Sequence, residues 1–221
     1  MMSQLLSPAR RSALAFVAVV LASCVATGIA IAAPDASFDN AFHHFIVASS
    51  GDSSAVDTAA DEFDALLKAE PANPVLMAYA GAATSMRATT TVMPWKKMGY
   101  AEDGMAMVDK AVAMLTPAHD AVIQHGTPGS IEVRFVAANA FLGVPPFMNR
   151  AARGAKLLNE VLASPLFEKA PLPFQGTVWM RAAALASKEQ RTADAQRYLN
   201  EVISRNAPQA EKARALLKAA A

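Results

Sequence analysis

Read for the spacing of its apolar and polar positions, the chain falls into helical segments separated by proline and glycine punctuation. From Asp35 to Ser49, Phe38, Phe42, Phe45 and Ile46 recur on one helical face, and Gly51-Asp52-Ser53-Ser54 then breaks the pattern with a turn. Ser54 with Asp57 predicts a capping box for the next helix, which carries Ala59, Ala60, Phe63, Leu66 and Leu67 inward and stops before Pro71. Pro74 suits a first helical position and opens a helix through Met77, Tyr79, Gly81 and Thr84, ended by the β-branched run Thr89-Thr90-Thr91-Val92. Between Trp95 and Leu115, Met98, Ala101, Met105, Val108, Val112 and Leu115 form a single stripe, with Met107, Ala111 and Met114 beside it. Thr116 to Thr127 shows no clear period and reads as a long loop with room for one helical turn.

The second half continues in the same manner. Thr127-Pro128 predicts an N-cap and a first-turn proline for a helix through Ile131, Phe135, Ala138 and Leu142, stopped at Gly143 with Pro145-Pro146 beyond. Asn149 is expected to cap the next helix, which runs through Leu157, Leu158, Val161 and Leu162 to Ser164-Pro165. Trp179, Ala182, Ala183 and Ala186 mark another helix, and Ala195, Tyr198, Leu199 and Val202 its partner. The segment from Pro208 to Ala221 puts Ala213, Leu216, Leu217 and Ala220 on one side and Glu211, Lys212, Arg214 and Lys218 on the other, as a capping helix with a wet outer face would.

Ahead of these helices, Arg10 and Arg11 precede an apolar stretch from Ala13 to Ala33, the order of an export signal. Residues 1–32 are therefore expected to be an address and residues 33–221 the folded domain. Ala30-Ile31-Ala32 fits small-x-small cleavage, while Leu21-Ala22-Ser23-Cys24 is similar to a lipobox, which would lipidate Cys24. Retention of the stretch as an uncleaved anchor is a third reading. Cys24 is the single cysteine, so a processed chain would suit an oxidising compartment such as the periplasm.

Composition narrows the class further. Of 221 residues 53% are apolar, 50 are alanine and only 7% are aromatic, which favours an all-α fold. Lys and Arg number 20 against 19 Asp and Glu, with no basic patch of the kind a phosphate backbone requires; nucleic acid is not an expected partner.

Paired helices invite a repeat test. Trp179, Ala195, Leu199, Val202 and Pro208 form a ladder that resembles the tetratricopeptide repeat, and Ala59, Phe63 and Leu66 repeat part of it at the same mutual spacing, with Pro71 beyond. Gly81 matches the small residue that lets that family's two helices approach. The resemblance spans Asn40 to Pro208 and is specific at its two ends; the hairpins Pro74 to Pro117 and Thr127 to Pro165 exceed the ~34-residue unit. It implies helical hairpins stacked as a right-handed solenoid whose concave face binds proteins or peptides. An ordinary α-bundle would show the same helix pairs.

Motifs for catalysis are missing: the sequence holds no phosphate-binding Gly-Lys loop, nucleophile elbow, paired-cysteine metal motif or HExxH. The expected function is thus non-catalytic binding of a protein or peptide in the bacterial envelope, without a cofactor. His43 and His44 point about 100° apart on a helix and cannot chelate one ion together. Asp61-Glu62 and Glu102-Asp103 are expected on solvated faces. Seven of the 11 methionines lie between Met77 and Met114, which admits an alternative, a small-molecule or copper carrier with His119 and His125 nearby; core packing explains the same spacing.

Three places stand out as partner-binding candidates. Trp95-Lys96-Lys97 offers an aromatic ring and two cations as an exposed anchor for an acidic or aromatic partner, though the stronger expectation for Trp95 is a buried ring stapling the loop under two solvated lysines. Arg134 and Arg181 each sit on the first helix of a hairpin, which in the resembling family lines the concave surface, and guanidinium groups suit carboxylates. Thr177, Met180 and Lys188 are expected to face the same groove.

Overall fold

The computed structural model describes residues 35–124 and 126–219, all within one compact unit. The expected export signal, Cys24 included, lies outside the described residues, as does His125. Among the described residues there are nine α-helices: α1 (Asp35–Ser49), α2 (Ala55–Ala69), α3 (Pro74–Thr90), α4 (Pro94–Ala113), α5 (Gly129–Gly143), α6 (Ala151–Ala163), α7 (Leu172–Lys188), α8 (Thr192–Ser204) and α9 (Ala210–Ala219). The fold is all-α, with successive helices packed in adjacent pairs. Among the described residues no helix is long and apolar enough to cross a membrane.

Local chemistry sets the boundaries. Asn73 caps α3 through Oδ1, which accepts from the backbone N–H groups of Val75 (3.0 Å) and Leu76 (3.3 Å), and Pro74 follows at the first helical position. The expected Ser54–Asp57 box does not form. Asp52 Oδ1 instead accepts from the Ser54 backbone N–H (2.9 Å) and hydroxyl (2.6 Å), which leaves Ser54 helical in conformation, while Asp57 pairs with Arg87 at 2.8 Å.

Between Thr116 and Thr127 the one helical turn expected there is present, and a strand pair is added to it. A 3-10 turn (Pro117–Asp120) leads into β1 (Val122–Gln124), which pairs antiparallel with β2 (Thr127–Pro128). Thr127 is consequently a buried strand residue rather than an N-cap, and Pro128 stays extended ahead of α5. The Ser130 hydroxyl donates to Asp120 Oδ1 at 2.5 Å, tying the first turn of α5 back to the 3-10 turn. Asn149 is likewise not the cap of α6: it takes a left-handed φ of 54° to end the 3-10 turn Pro146–Met148, and Arg150 precedes the helix. In α9, Ala213 is buried and Leu217 packs inward, but Leu216 is exposed rather than inward-facing.

The tightest helix contact joins α3 to α4 through two glycines. A Cβ on Gly81 would stand 2.7 Å from the Gly104 carbonyl oxygen and 2.8 Å from Met107 Cβ, and one on Gly104 would stand 2.6 Å from the Ser85 nitrogen. Only hydrogen fits at this crossing, so the backbones lie in contact.

Among the described residues two large apolar cores result, with smaller clusters between α1, α2 and α3. Phe38, Phe63, Leu76 and Tyr79 centre the N-terminal one, where Phe63 stacks on Tyr79 with centroids 4.9 Å apart. Phe141, Leu158, Val178 and Trp179 centre the C-terminal one. Helices α4 and α5 serve both: Met105, Val108, Ile131 and Phe135 face the C-terminal core, while Ala111, Val133 and Val136 face the N-terminal one.

Candidate binding cleft

Helix α7 presents Arg181 toward α5 at a place with no acid to meet it. Its Nη2 donates to the Asn139 carbonyl at a long 3.4 Å, and its Nε is buried without a hydrogen-bond partner. Burial lowers the guanidinium pKa, because the charged form is held partly out of water. Among the described residues it is the one arginine without a carboxylate partner; Arg87, Arg134, Arg150, Arg153, Arg191, Arg197, Arg205 and Arg214 each have one.

Around Arg181 lies a cleft of about 240 Å³, bounded by Leu142 from α5 and Ala184, Leu185 and Lys188 from α7. Arg181 and Lys188 stand two helical turns apart, so both cations border one apolar slot. An incoming carboxylate would supply the acceptor that Nε lacks, and an aliphatic group could cover Leu142 and Leu185. A larger hollow of about 430 Å³ on the outer face of α8 is a weaker candidate. It is shallow, and its charged residues Arg197 and Glu201 are already paired with Asp194 and Arg205.

Of the residues expected to share this groove, the cleft contains Arg181 and Lys188. Met180 packs on the C-terminal core, and the Thr177 hydroxyl donates to the Pro173 carbonyl and accepts from Gln209. Arg134 is on α5 but does not border the cleft. Its Nη1 donates to the Ser130 carbonyl at 3.0 Å, and its Nε faces Glu160 of α6 at 3.5 Å, so it spans two helices of one hairpin.

Trp95 departs from the buried ring expected of it. It is 71% exposed, and Lys96 and Lys97 beside it are exposed and form no ion pair with another described residue. The reason lies in the geometry of α4, whose first turn runs past the body of the molecule. Met98, expected inward, is exposed for the same reason.

The methionines do not converge. Met105 is buried in the C-terminal core, Met77 is in the N-terminal one, where Met107 and Met114 pack alongside, and Met93 and Met98 are exposed. His119 Nδ1 accepts from the Thr116 backbone N–H at 3.0 Å. Among the described residues no group of three or more His, Cys, Asp or Glu is placed to hold a metal ion. His43 is exposed, whereas half-buried His44 meets Glu62 at 2.7 Å through Nδ1. Asp61 pairs with Arg87, and Glu102 and Asp103 are exposed.

A polar pair that the sequence reading passed over lies in the N-terminal core. Glu132 is 3% exposed, accepts from the Tyr79 hydroxyl through Oε1 at 2.9 Å, and keeps Oε2 buried without a partner. Desolvation pushes its pKa up to about 8, against the lowering effect of the Tyr79 bond. The same burial, with the nearby carboxyl, holds the Tyr79 hydroxyl well above its ordinary range. The signal was available: Glu132 sits between Ile131 and Val133 in a helix with apolar residues on every side. Both side chains are buried, and the pair reads as part of the scaffold.

Compared with family models, with curated proteins and with solved structures, the chain shows no significant match to any.

Proposed function

We propose that this chain is a non-catalytic scaffold of helical hairpins that binds a protein or peptide in the bacterial envelope, with residues 1–32 acting as its export signal. On this reading the hairpins stack as a divergent tetratricopeptide-like solenoid capped by α9, and partner side chains or a chain terminus carrying a carboxylate dock at Arg181. The observation that carries the proposal is the half-buried guanidinium beside Lys188 in an otherwise apolar cleft, its Nε without a hydrogen-bond partner and with no carboxylate paired to it among the described residues. Leaving a donor buried and unsatisfied costs about 1–3 kcal/mol, a cost that a bound anion removes.

The test pairs binding with stability. Partners captured from an envelope extract by the full chain are compared with those captured by Arg181→Met, which keeps the aliphatic bulk and removes the charge. Loss of a partner's affinity by about 1.5–3 kcal/mol is expected, as for a hydrogen bond to a charged group. Melting temperature should be unchanged or higher, because an uncompensated charge leaves the interior. An unchanged partner set, or a marked fall in melting temperature, would count against the cleft as the binding site.

A further inference from the structure

The turn joining α3 to α4 and the start of α4 form a projecting tip. Every residue from Val92 to Met98 is exposed, and five of them, Pro94 to Met98, are helical. Five consecutive helical residues exceed one turn of about 3.6 residues, so this turn reaches solvent on all sides rather than along one face, from Trp95 at 71% to Met98 at 42%. At Gly99 an added Cβ would still meet nothing within 4 Å.

The chemistry of the tip is unusual for a surface bathed in water. Val92 is 88% exposed and Trp95 71%, with Met93 and Met98 also outward, and all four lie within two turns of chain. Among the described residues Lys96 and Lys97 form no ion pair, and no acidic residue occurs from Ala88 to Ala101. The preceding Arg87 is turned away, held by Asp57 and Asp61.

We propose that this tip is a membrane-docking element that places Trp95 and its apolar neighbours in the interfacial layer of an anionic bilayer, with Lys96 and Lys97 on the lipid headgroups. Convexity argues for this occupant, since a tip that reaches solvent on every side fits a soft planar medium without any matching cavity. Charge complementarity argues for it too, because two unpaired cations beside an apolar tip suit acidic headgroups over a hydrocarbon layer. Tryptophan prefers that interface, where its ring is buried and its N–H remains hydrogen-bonded, and the long lysine stems let their ammonium groups stay in water while the ring descends. The proposal is independent of the Arg181 cleft.

The experiment uses the chain's own fluorescence. It has two tryptophans, Trp95 exposed and Trp179 buried, so a change in acrylamide quenching and emission wavelength on vesicles reports the tip even if another segment recruits the protein. With full-length protein on phosphatidylglycerol vesicles, the Trp95 emission is expected to shift to the blue and its quenching to fall severalfold. Phosphatidylcholine vesicles should give neither change. Lys96→Gln with Lys97→Gln should abolish the response on phosphatidylglycerol, and Trp95→Phe should leave a lipid-insensitive Trp179 signal; these exposed positions leave helical content unchanged. No change in Trp95 on anionic vesicles would overturn the proposal. Equal responses on the two lipids, or an undiminished one in the lysine variant, would do the same. A blue shift that grows with protein concentration in the absence of lipid would show that a second copy covers the tip instead.

Discussion

At the scale of single residues, the buried carboxyl of Glu132 makes the sharpest prediction. An ordinary glutamate ionises near pH 4.5 when unfolded, but in the folded chain Glu132 keeps its proton up to about pH 8. Its contribution is therefore complete below the lower value and is lost as pH rises through this window, because the unfolded state releases a proton that the native state still binds. Wild-type melting temperature should fall across that range. Glu132→Gln, which can still accept from Tyr79, should lose that part of the slope and be the more stable protein at pH 8. Parallel slopes for the two in thermal melts would show that Glu132 titrates normally. Arg134 supplies the contrasting case. Its pair with Glu160 is partly solvated at 3.5 Å, and exposed pairs contribute about 0–1 kcal/mol, so Arg134→Ala should barely change stability. A loss of several kcal/mol in denaturant unfolding would make it a strut between α5 and α6.

At the scale of helices, the α3–α4 crossing separates propensity from packing. Alanine is ordinarily better than glycine inside a helix by about 1 kcal/mol. Gly81→Ala should nevertheless destabilise, by about 1–3 kcal/mol, because its Cβ would meet the Gly104 carbonyl at 2.7 Å. Gly99→Ala, in open space on the same hairpin, should stabilise by about 0.5–1 kcal/mol. Opposite signs in urea melts are the expected outcome, and a stabilised Gly81→Ala would show that the helices are not in contact there. This crossing also marks what the sequence made legible. Apolar spacing and prolines located α1 through α9 closely, Pro74 at the start of α3 and Gly143 at the end of α5 among them, since these signals act within a turn of the residue that carries them. Competition between nearby partners was not legible. Asp52 engaged the Ser54 hydroxyl and left α2 without a side-chain cap, and a strand partner in β1 drew Thr127 out of the cap position; both outcomes depend on which acceptor or donor the backbone brings near. Trp95 shows the same limit, because burial of an aromatic depends on whether a neighbouring helix reaches it, and among the described residues none covers the first turn of α4. Of the candidate cleft, the periodicity of α7 placed Arg181 and Lys188 on one face, but the absence of any acid opposite them is a property of α5.

On the scale of the whole molecule, α4 and α5 contribute side chains to both cores, and one cooperative unit is the expected consequence. Along α5 nearly every position from Gly129 to Ala138 is buried, with Ile131 and Phe135 turned to one core and Val133 and Val136 to the other. An amphipathic helix would leave a wet face between the cores, and they would be able to melt separately. A helix buried on nearly every side has no such face, so unfolding either core strips one side of α5 and exposes apolar surface worth about 25 cal/mol per Å². Thermal unfolding should accordingly be a single transition. Trp179 fluorescence, which reports the C-terminal core, should coincide with far-ultraviolet circular dichroism, which reports all the helices. Phe141→Ala removes a fully buried ring from the C-terminal core and should cost about 3–5 kcal/mol, moving both probes together. If the variant's fluorescence transition instead fell well below that of its circular dichroism, the N-terminal core would be surviving alone. The α5 wall would then divide two separate folding units rather than join them.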